Sequence, residues 1–448
     1  MTKSLTEGNP LKLILQFSAP ILLSMLFQQF YNLVDTMIVG RILGENALAA
    51  VSSTSSINFM IIGFSMGVCN GFAIPMAQAF GGKEEHELKR YIGSCLWLCV
   101  GFSAVLAITT GLLCTQILQL MGTPAEILRD ASYYIGILFW GIPVTYLYNM
   151  TSAMLRAVGD SRTPVVFLGL AAILNIILDI VFITVVGVGV MGAAIATVIA
   201  QGVSGLLCLV YIGKKFPILQ PKGDEWRLRR RHAVRLCSMG LPMGLQYSVT
   251  AIGSVILQSA VNSLGTTFVA AVGAANKLSV VFCCPFDALG ATIATYAGQN
   301  IGAGKPDRVH EGVKSCMLLG SIYAVTACLV FFLAGSQLAA LFADPANTAL
   351  IGYIRHMLII VSLFYIPLTG VNVYRFCIQG MGYSSIAIFA GVMEMVGRSA
   401  TAALVTVWGF NAACFAGPVA WILADSFLIP AYYHFLHREK KRFARVSA

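Results

Sequence analysis

Charge is what this chain has least of: only 11% of its 448 residues are Asp, Glu, Lys or Arg, against about a quarter in soluble domains. A soluble enzyme or nucleic-acid binder needs a polar surface around its core, and no basic soluble module stands apart from the apolar stretches. Histidine is scarce too, and none of the 6 His stands at metal-ligand spacing from the 12 Cys. The cysteines fall mostly within apolar runs and read as small reduced core residues. Nucleotide-driven chemistry has no sequence support, because GQNIGAGKP lacks the Ser or Thr that closes a phosphate loop. GFSMG, from Gly63 to Gly67, matches the hydrolase pattern but lies in an apolar run, where packing glycines are expected instead of a strand-turn-helix elbow. The polar start MTKSLTEGNP shows no small-residue cleavage site, so no cleaved leader is expected.

What the chain has in excess is apolar length. Hydrophobic residues make up 58% of it, gathered into about twelve stretches each long enough to cross ~30 Å of hydrocarbon as a helix. The first runs from Leu13 to Val39 and the last from Ala412 to Phe435, six on either side of a basic linker. The expectation is an all-α membrane protein with twelve transmembrane helices in two six-helix lobes. The N-terminal lobe takes residues 1–212, the linker 213–235, the C-terminal lobe 236–438 and a basic tail 439–448. Lys and Arg crowd into the linker, the tail and loops of one parity, whereas the other parity holds Arg41, Arg129 and Arg355. The positive-inside rule then puts both termini and the linker in the cytoplasm, with the protein in the plasma membrane. The net charge of +10 is a topology signal first; contact of the linker and tail with anionic lipid is a secondary reading.

Shifted on itself by about 221 to 223 residues, the sequence repeats. Pro20 falls on Pro242, Gly44 on Gly265, Gln78 on Gln299, Gly159 on Gly382, and Gly187 on Gly409. With an even number of crossings, both halves enter from one face and relate by a pseudo-two-fold axis along the membrane normal. Two such lobes can rock about a central cleft, which favours a transporter over a channel.

Charges inside the apolar stretches are functional candidates by default, because each costs several kcal/mol unless paired or hydrated. Asp35 and Asp179 are the clearest, and Asn175 shares a face with Asp179 one turn away. Depth arithmetic at 1.5 Å per residue puts Asp179 and Thr197 at a similar level, roughly 10 Å below the outer surface. Burial disfavours the charged form of a carboxylate, and a second carboxylate nearby disfavours it further, so the pair can share one proton. The alternative within this reading is a polar knot that staples helices. Glu394 and Arg398, spaced i, i+4, read first as a mutually neutralising pair and second as cavity lining. Lys277, Asp287, Arg375 and Asp425 read as further buried charges, at least one of them paired across helices.

PILLSMLFQQFYNLVDTMIVGRILG, the AQAFGGK and GQNIGAGK loops, MLRAVGDSRTP and LNIILDIVFI together resemble the multidrug and toxic compound extrusion (MATE) family across essentially the whole chain. The resemblance implies export of amphipathic, often cationic compounds, driven by inward flow of protons or sodium ions. One branch of that family keeps an acidic cation site in the N-terminal lobe, and the matching positions here are Asp35, Asn175, Asp179 and Thr197. The coupling ion is then a proton, or sodium ligated by the same four side chains. Another branch uses acids on the seventh and tenth helices, where this chain has Gln246, Gln258 and Asn372. The resemblance further implies that Pro20 marks a bend that changes as Asp35 takes up a proton. Tyr31, Asn149 and Gln201 are assigned to the substrate cavity, with Glu394, Arg398 and Asp287 as secondary candidates in the C-terminal lobe. No cofactor, no nucleic acid and no enzymatic activity are expected, and the chain is read as a monomer in the bilayer. A flippase for a lipid-linked precursor and an integral-membrane enzyme are the competing functions.

Overall fold

The computed structural model describes residues 4–344 and 346–447, so the first three residues of the N-terminal lobe and the last of the tail lie outside it. Among the described residues the chain is built of helices, with no strand. In order they are α1 (Pro10–Leu43), α2 (Glu45–Ser53), α3 (Ser55–Gly81), α4 (Glu85–Leu112), α5 (Cys114–Leu120), α6 (Ala125–Trp140), α7 (Ile142–Ala157), α8 (Arg162–Ile180) and α9 (Val190–Lys215). Two short 3-10 turns in the linker lead to α10 (Arg230–Asn262), α11 (Thr266–Gly302), α12 (Pro306–Ala339), α13 (Thr348–Leu363), α14 (Tyr365–Gly380), α15 (Ser384–Ala403), α16 (Val405–Trp408) and α17 (Phe410–Ser447).

Ten of these helices are long and apolar enough to cross a membrane, and α13 with α14, bent by 51° at their junction, makes an eleventh. The twelfth crossing is α6 with α7. Its first half carries Glu126, Arg129 and Asp130, which dilute its apolar character, and the break falls at Gly141. Broken crossings keep their backbone groups satisfied only where protein surrounds the break. At Gly141 it does, since a Cβ there would meet Val198 at 2.5 Å.

The chain divides into two compact units, and each borrows a helix end from the other half of the sequence. The first holds Leu23–Gly244; the second holds Leu5–Leu22 together with Leu245 onward. The changeovers fall within α1 and within α10, just after Pro20 and just after Pro242. These are the prolines that the repeat superposes, and each lacks the N–H that would continue its helix ladder.

In the first unit α3 and α10 approach backbone to backbone. A Cβ on Gly67 would stand 2.5 Å from the Met243 carbonyl oxygen, and one on Gly71 would stand 2.5 Å from the Gly240 Cα. The GFSMG run is therefore helix packing, as its apolar context predicts. Phe72, Met76, Ile135, Phe139, Ile142 and Leu155 fill the core beside this contact. The linker lies against α4 of the same unit. Trp97 Nε1 donates to the Trp226 carbonyl at 2.9 Å, and a Cβ on Gly93 would meet the Glu225 carbonyl oxygen at 2.1 Å.

The repeat survives in the backbone. Gly44 and Gly265 have φ of 88° and 101°, Gly159 and Gly382 have 89° and 100°, and Gly187 and Gly409 have 74° and 58°. Each pair adopts the left-handed conformation that side chains resist, so glycine recurs for a backbone reason. All twelve cysteines are free thiols.

Candidate functional site

Five helices of the first unit aim polar side chains into one region. On α1, Tyr31 and Asp35 stand one turn apart; on α8, Asn175 and Asp179 do the same, as do Thr197 and Gln201 on α9 and Thr145 and Asn149 on α7. The i, i+4 spacing stacks each pair on one helix face. Tyr134 of α6 completes the wall. Asp179 is fully buried, Asn175 and Asp35 are nearly so, and Tyr31 and Tyr134 are each 8% exposed.

Hydrogen bonds tie the periphery. Asn175 Nδ2 donates to Thr197 Oγ1 at 3.4 Å, Thr145 Oγ1 to Gln201 Oε1 at 2.8 Å, and Asn149 Nδ2 to the Thr145 carbonyl at 3.0 Å. The Tyr31 hydroxyl interacts with Gln28 and Gln201 and lies within electrostatic reach of both carboxylates, as does Tyr134.

The centre is different. Asp35 and Asp179 come within hydrogen-bonding reach of each other. Ionised carboxylates only accept, so that bond forms when one of them carries a proton. Among the described residues no donor reaches Asp35 Oδ1, Asn175 Oδ1 or either oxygen of Asp179. Four buried acceptors thus converge without a donor, a costly state that a proton or a small cation relieves. Immediately after Asp179, α8 passes into a π turn over Val181–Val185. Such turns widen the helix and often stand at functional sites.

The structure brings together Asp35, Asn175, Asp179, Thr197, Tyr31 and Gln201, and places Asn149 one bond further out through Thr145. It keeps Pro20 apart from them, on the segment of α1 that belongs to the second unit. Tyr134, Thr145 and Gln28 join the region without having been singled out in the sequence. The i, i+4 relation of Thr145 to Asn149 was a usable signal in the sequence.

In the second unit, Glu394 accepts from Arg375 Nη2 and, at 3.1 Å, from Arg398 Nη2, so the expected i, i+4 pair exists and gains a cross-helix partner. Lys277 departs from the expectation of a buried charge, since it is exposed on α11, whereas Asp287 keeps accessible surface although protein packs closely around it. Gln246 accepts from Gln379 Nε2 at 2.7 Å, and Asn372 Nδ2 donates to the Leu368 carbonyl at 3.3 Å.

The comparisons with known proteins agree with this architecture. The MatE family model matches residues 20–181 and 242–410, one match in each half of the repeat. The chain belongs to the MatE family. It is 32% identical over 369 residues to the probable multidrug resistance protein YpnP of Bacillus subtilis, covering 82% of this chain and 81% of that one. Two solved structures share the fold over 98% of both chains. One is an outward-facing multidrug resistance MATE family transporter of the MOP superfamily, at TM-score 0.91 and 20% identity; the other is MATE in the bent conformation, at TM-score 0.90 and 22% identity. As a MatE protein the chain is a multi-pass membrane transporter and not an enzyme.

Proposed function

We propose that this MatE transporter is a secondary antiporter of the plasma membrane that exports amphipathic, cationic drugs or toxic compounds in exchange for protons or sodium ions. The observation that carries the reading is the juxtaposition of Asp35 and Asp179 with acceptors that lack donors. Anionic and dehydrated, that centre favours any positive guest, whether a coupling ion or the charged end of a cargo, and the two compete for it. Coupling follows from this competition: the guest that enters from outside displaces the guest that leaves. The multidrug resistance name of the Bacillus subtilis relative supports the cargo class.

A proton would bridge Asp35 and Asp179, while the Asn175–Thr197 bond holds α8 to α9. Sodium would draw on Asp35, Asp179, the free Asn175 Oδ1 and the Thr197 hydroxyl. Tyr31, Gln201 and Asn149 present the aromatic and amide groups that a flat cationic cargo can stack on or bond to. Pro20 acts as the hinge, because the helix that carries Asp35 changes unit two residues beyond it. The working unit is one chain with cytoplasmic termini, its cluster complete within a single unit.

The deciding experiment loads purified transporter into liposomes and follows ethidium efflux under an imposed proton gradient, then under an imposed sodium gradient. Efflux that follows one gradient names the ion. Ethidium flux indifferent to both would contradict antiport.

A further inference from the structure

The second unit contains a charged cluster that the antiport reading leaves unused. Asp287 of α11 and Asp425 of α17 each lie within electrostatic reach of Arg375 of α14 and Glu394 of α15, and Arg398 joins through Glu394. Glu394 is 3% exposed and both its oxygens are taken, Oε1 by Arg375 and Oε2 by Arg398. Arg398 also reaches the Thr250 carbonyl with Nη1 at 3.4 Å. The triad Arg375–Glu394–Arg398 thereby sets two guanidiniums against one carboxylate, an excess of one positive charge.

Two aspartates face that excess. Neither is joined to Arg375 by an ion pair among the described residues, and both Asp425 Oδ1 and Arg375 Nε are buried without a hydrogen-bond partner. Asp425 presses against α14 where Gly370 leaves room: a Cβ there would stand 2.6 Å from Asp425 Oδ2. Asp287 is closely surrounded by protein yet keeps an accessible surface, as a residue on a cavity wall does. With both aspartates ionised, three carboxylates oppose two guanidiniums and one negative charge stands uncompensated inside a membrane-spanning bundle, which is costly. One added proton brings the cluster to neutrality. The other groups facing the aspartates are the Cys283 and Cys284 thiols beside Asp287 and the Tyr374 phenol beside Asp425, all neutral near pH 7 in their ordinary forms. Lys277, earlier on α11, is exposed.

We propose that the second unit holds one exchangeable proton of its own, carried by Asp287 and Asp425 beside the Arg375–Glu394–Arg398 triad. Uptake converts one carboxylate and a hydronium ion into a carboxylic acid and water; release reverses it through the open side of Asp287. A metal ion suits the cluster poorly, since among the described residues no three acidic, His or Cys groups are arranged to hold one. The proton-carrying aspartates, on α11 and α17, stand on other helices than the seventh- and tenth-helix positions, which here are the amides Gln246 and Asn372. The inference extends the antiport reading by adding a second proton to each cycle, and its test needs no transport, so either can fail alone.

The test is infrared difference spectroscopy of the full transporter in liposomes, titrated with pH, reading the carbonyl band of protonated carboxyl groups and its deuterium shift. In the Asp35→Asn/Asp179→Asn background one band titrating near neutral pH, clear of the acid-range titration of the exposed carboxyls, should remain. It should vanish when Asp287→Asn and Asp425→Asn are added, and persist, shifted, with Asp425→Glu. Asp425→Asn alone should alter the band, which keeps the proposal testable if the quadruple variant does not fold. No band in the first background would overturn it, as would a band indifferent to Asp287 and Asp425. A band that sodium removes at constant pH as fully as base does would overturn the proton assignment.

Discussion

Replacing Asp179 with Asn separates a coupling site from a structural knot, because the two readings predict opposite changes in stability. In the native protein both oxygens of Asp179 are fully buried and lack donors, and Asp35 is the neighbouring acid. The amide introduced by Asp179→Asn keeps the shape, removes one of two like charges and supplies its Nδ2 as a donor to Asp35. Leaving a buried acceptor unpaired costs about 1–3 kcal/mol, so the substitution should stabilise the first unit by about that amount. For a unit of this size that is roughly 2–4 °C of melting temperature per kcal/mol. Coupled efflux should meanwhile fall to the level of passive leak, since the exchangeable charge is gone. Thermal unfolding of the variant in liposomes, followed by labelling of the buried thiols, reads the first effect; ethidium efflux under an imposed gradient reads the second. Lower melting with normal coupling would show that Asp179 staples helices, and the reasoning would be wrong.

Three further outcomes follow from other parts of the molecule. Gly71→Ala should destabilise by about 1–3 kcal/mol or prevent folding, because its Cβ would meet the α10 backbone at 2.5 Å; the yield of monodisperse protein and its melting temperature check this, and unchanged melting would refute the close approach. Pro20→Ala and Pro242→Ala should each slow efflux while leaving cation binding intact, since both sit at a changeover between units; equal loss of binding would assign the prolines to the site instead of the hinge. In the linker, partial burial pushes the Glu225 carboxyl up, but the Lys222 N–H at 2.8 Å and the His86 ring at 2.6 Å outweigh it and hold the group below its ordinary value. Its contribution is therefore fully present above the ordinary Glu value of about 4.3 and is lost as pH falls through the lower, folded one. Protection of residues 222–230 against hydrogen exchange, taken relative to the intrinsic rate at each pH, should be high at neutral pH and fall on strong acidification, and Glu225→Gln should lower it already at neutral pH.

Much of this molecule was written in local sequence. Eleven of the crossings follow from apolar length, since a helix needs only its own residues to satisfy its backbone in lipid. The repeat was legible because Gly44, Gly159 and Gly187 recur as Gly265, Gly382 and Gly409, and glycine is what a left-handed turn requires wherever it stands. Asp35 and Asp179 declared themselves because a carboxylate in an apolar helix has few structural excuses. The broken crossings were harder to read: α13 and α14 form one continuous apolar stretch in sequence, and the 51° bend between them answers to packing.

What sequence alone determined is each helix, its faces and the residue types on them, because those depend on neighbours three or four positions away. Which faces meet was decided by the tertiary structure. Only there does Asp179 come to lie by Asp35, Tyr134 close the wall, Arg375 seize Glu394, and the ends of α1 and α10 change units after Pro20 and Pro242. The reason is physical: helical periodicity orients a side chain about its own axis, while its partner across the bundle is chosen by the packing of whole helices, which no local spacing records.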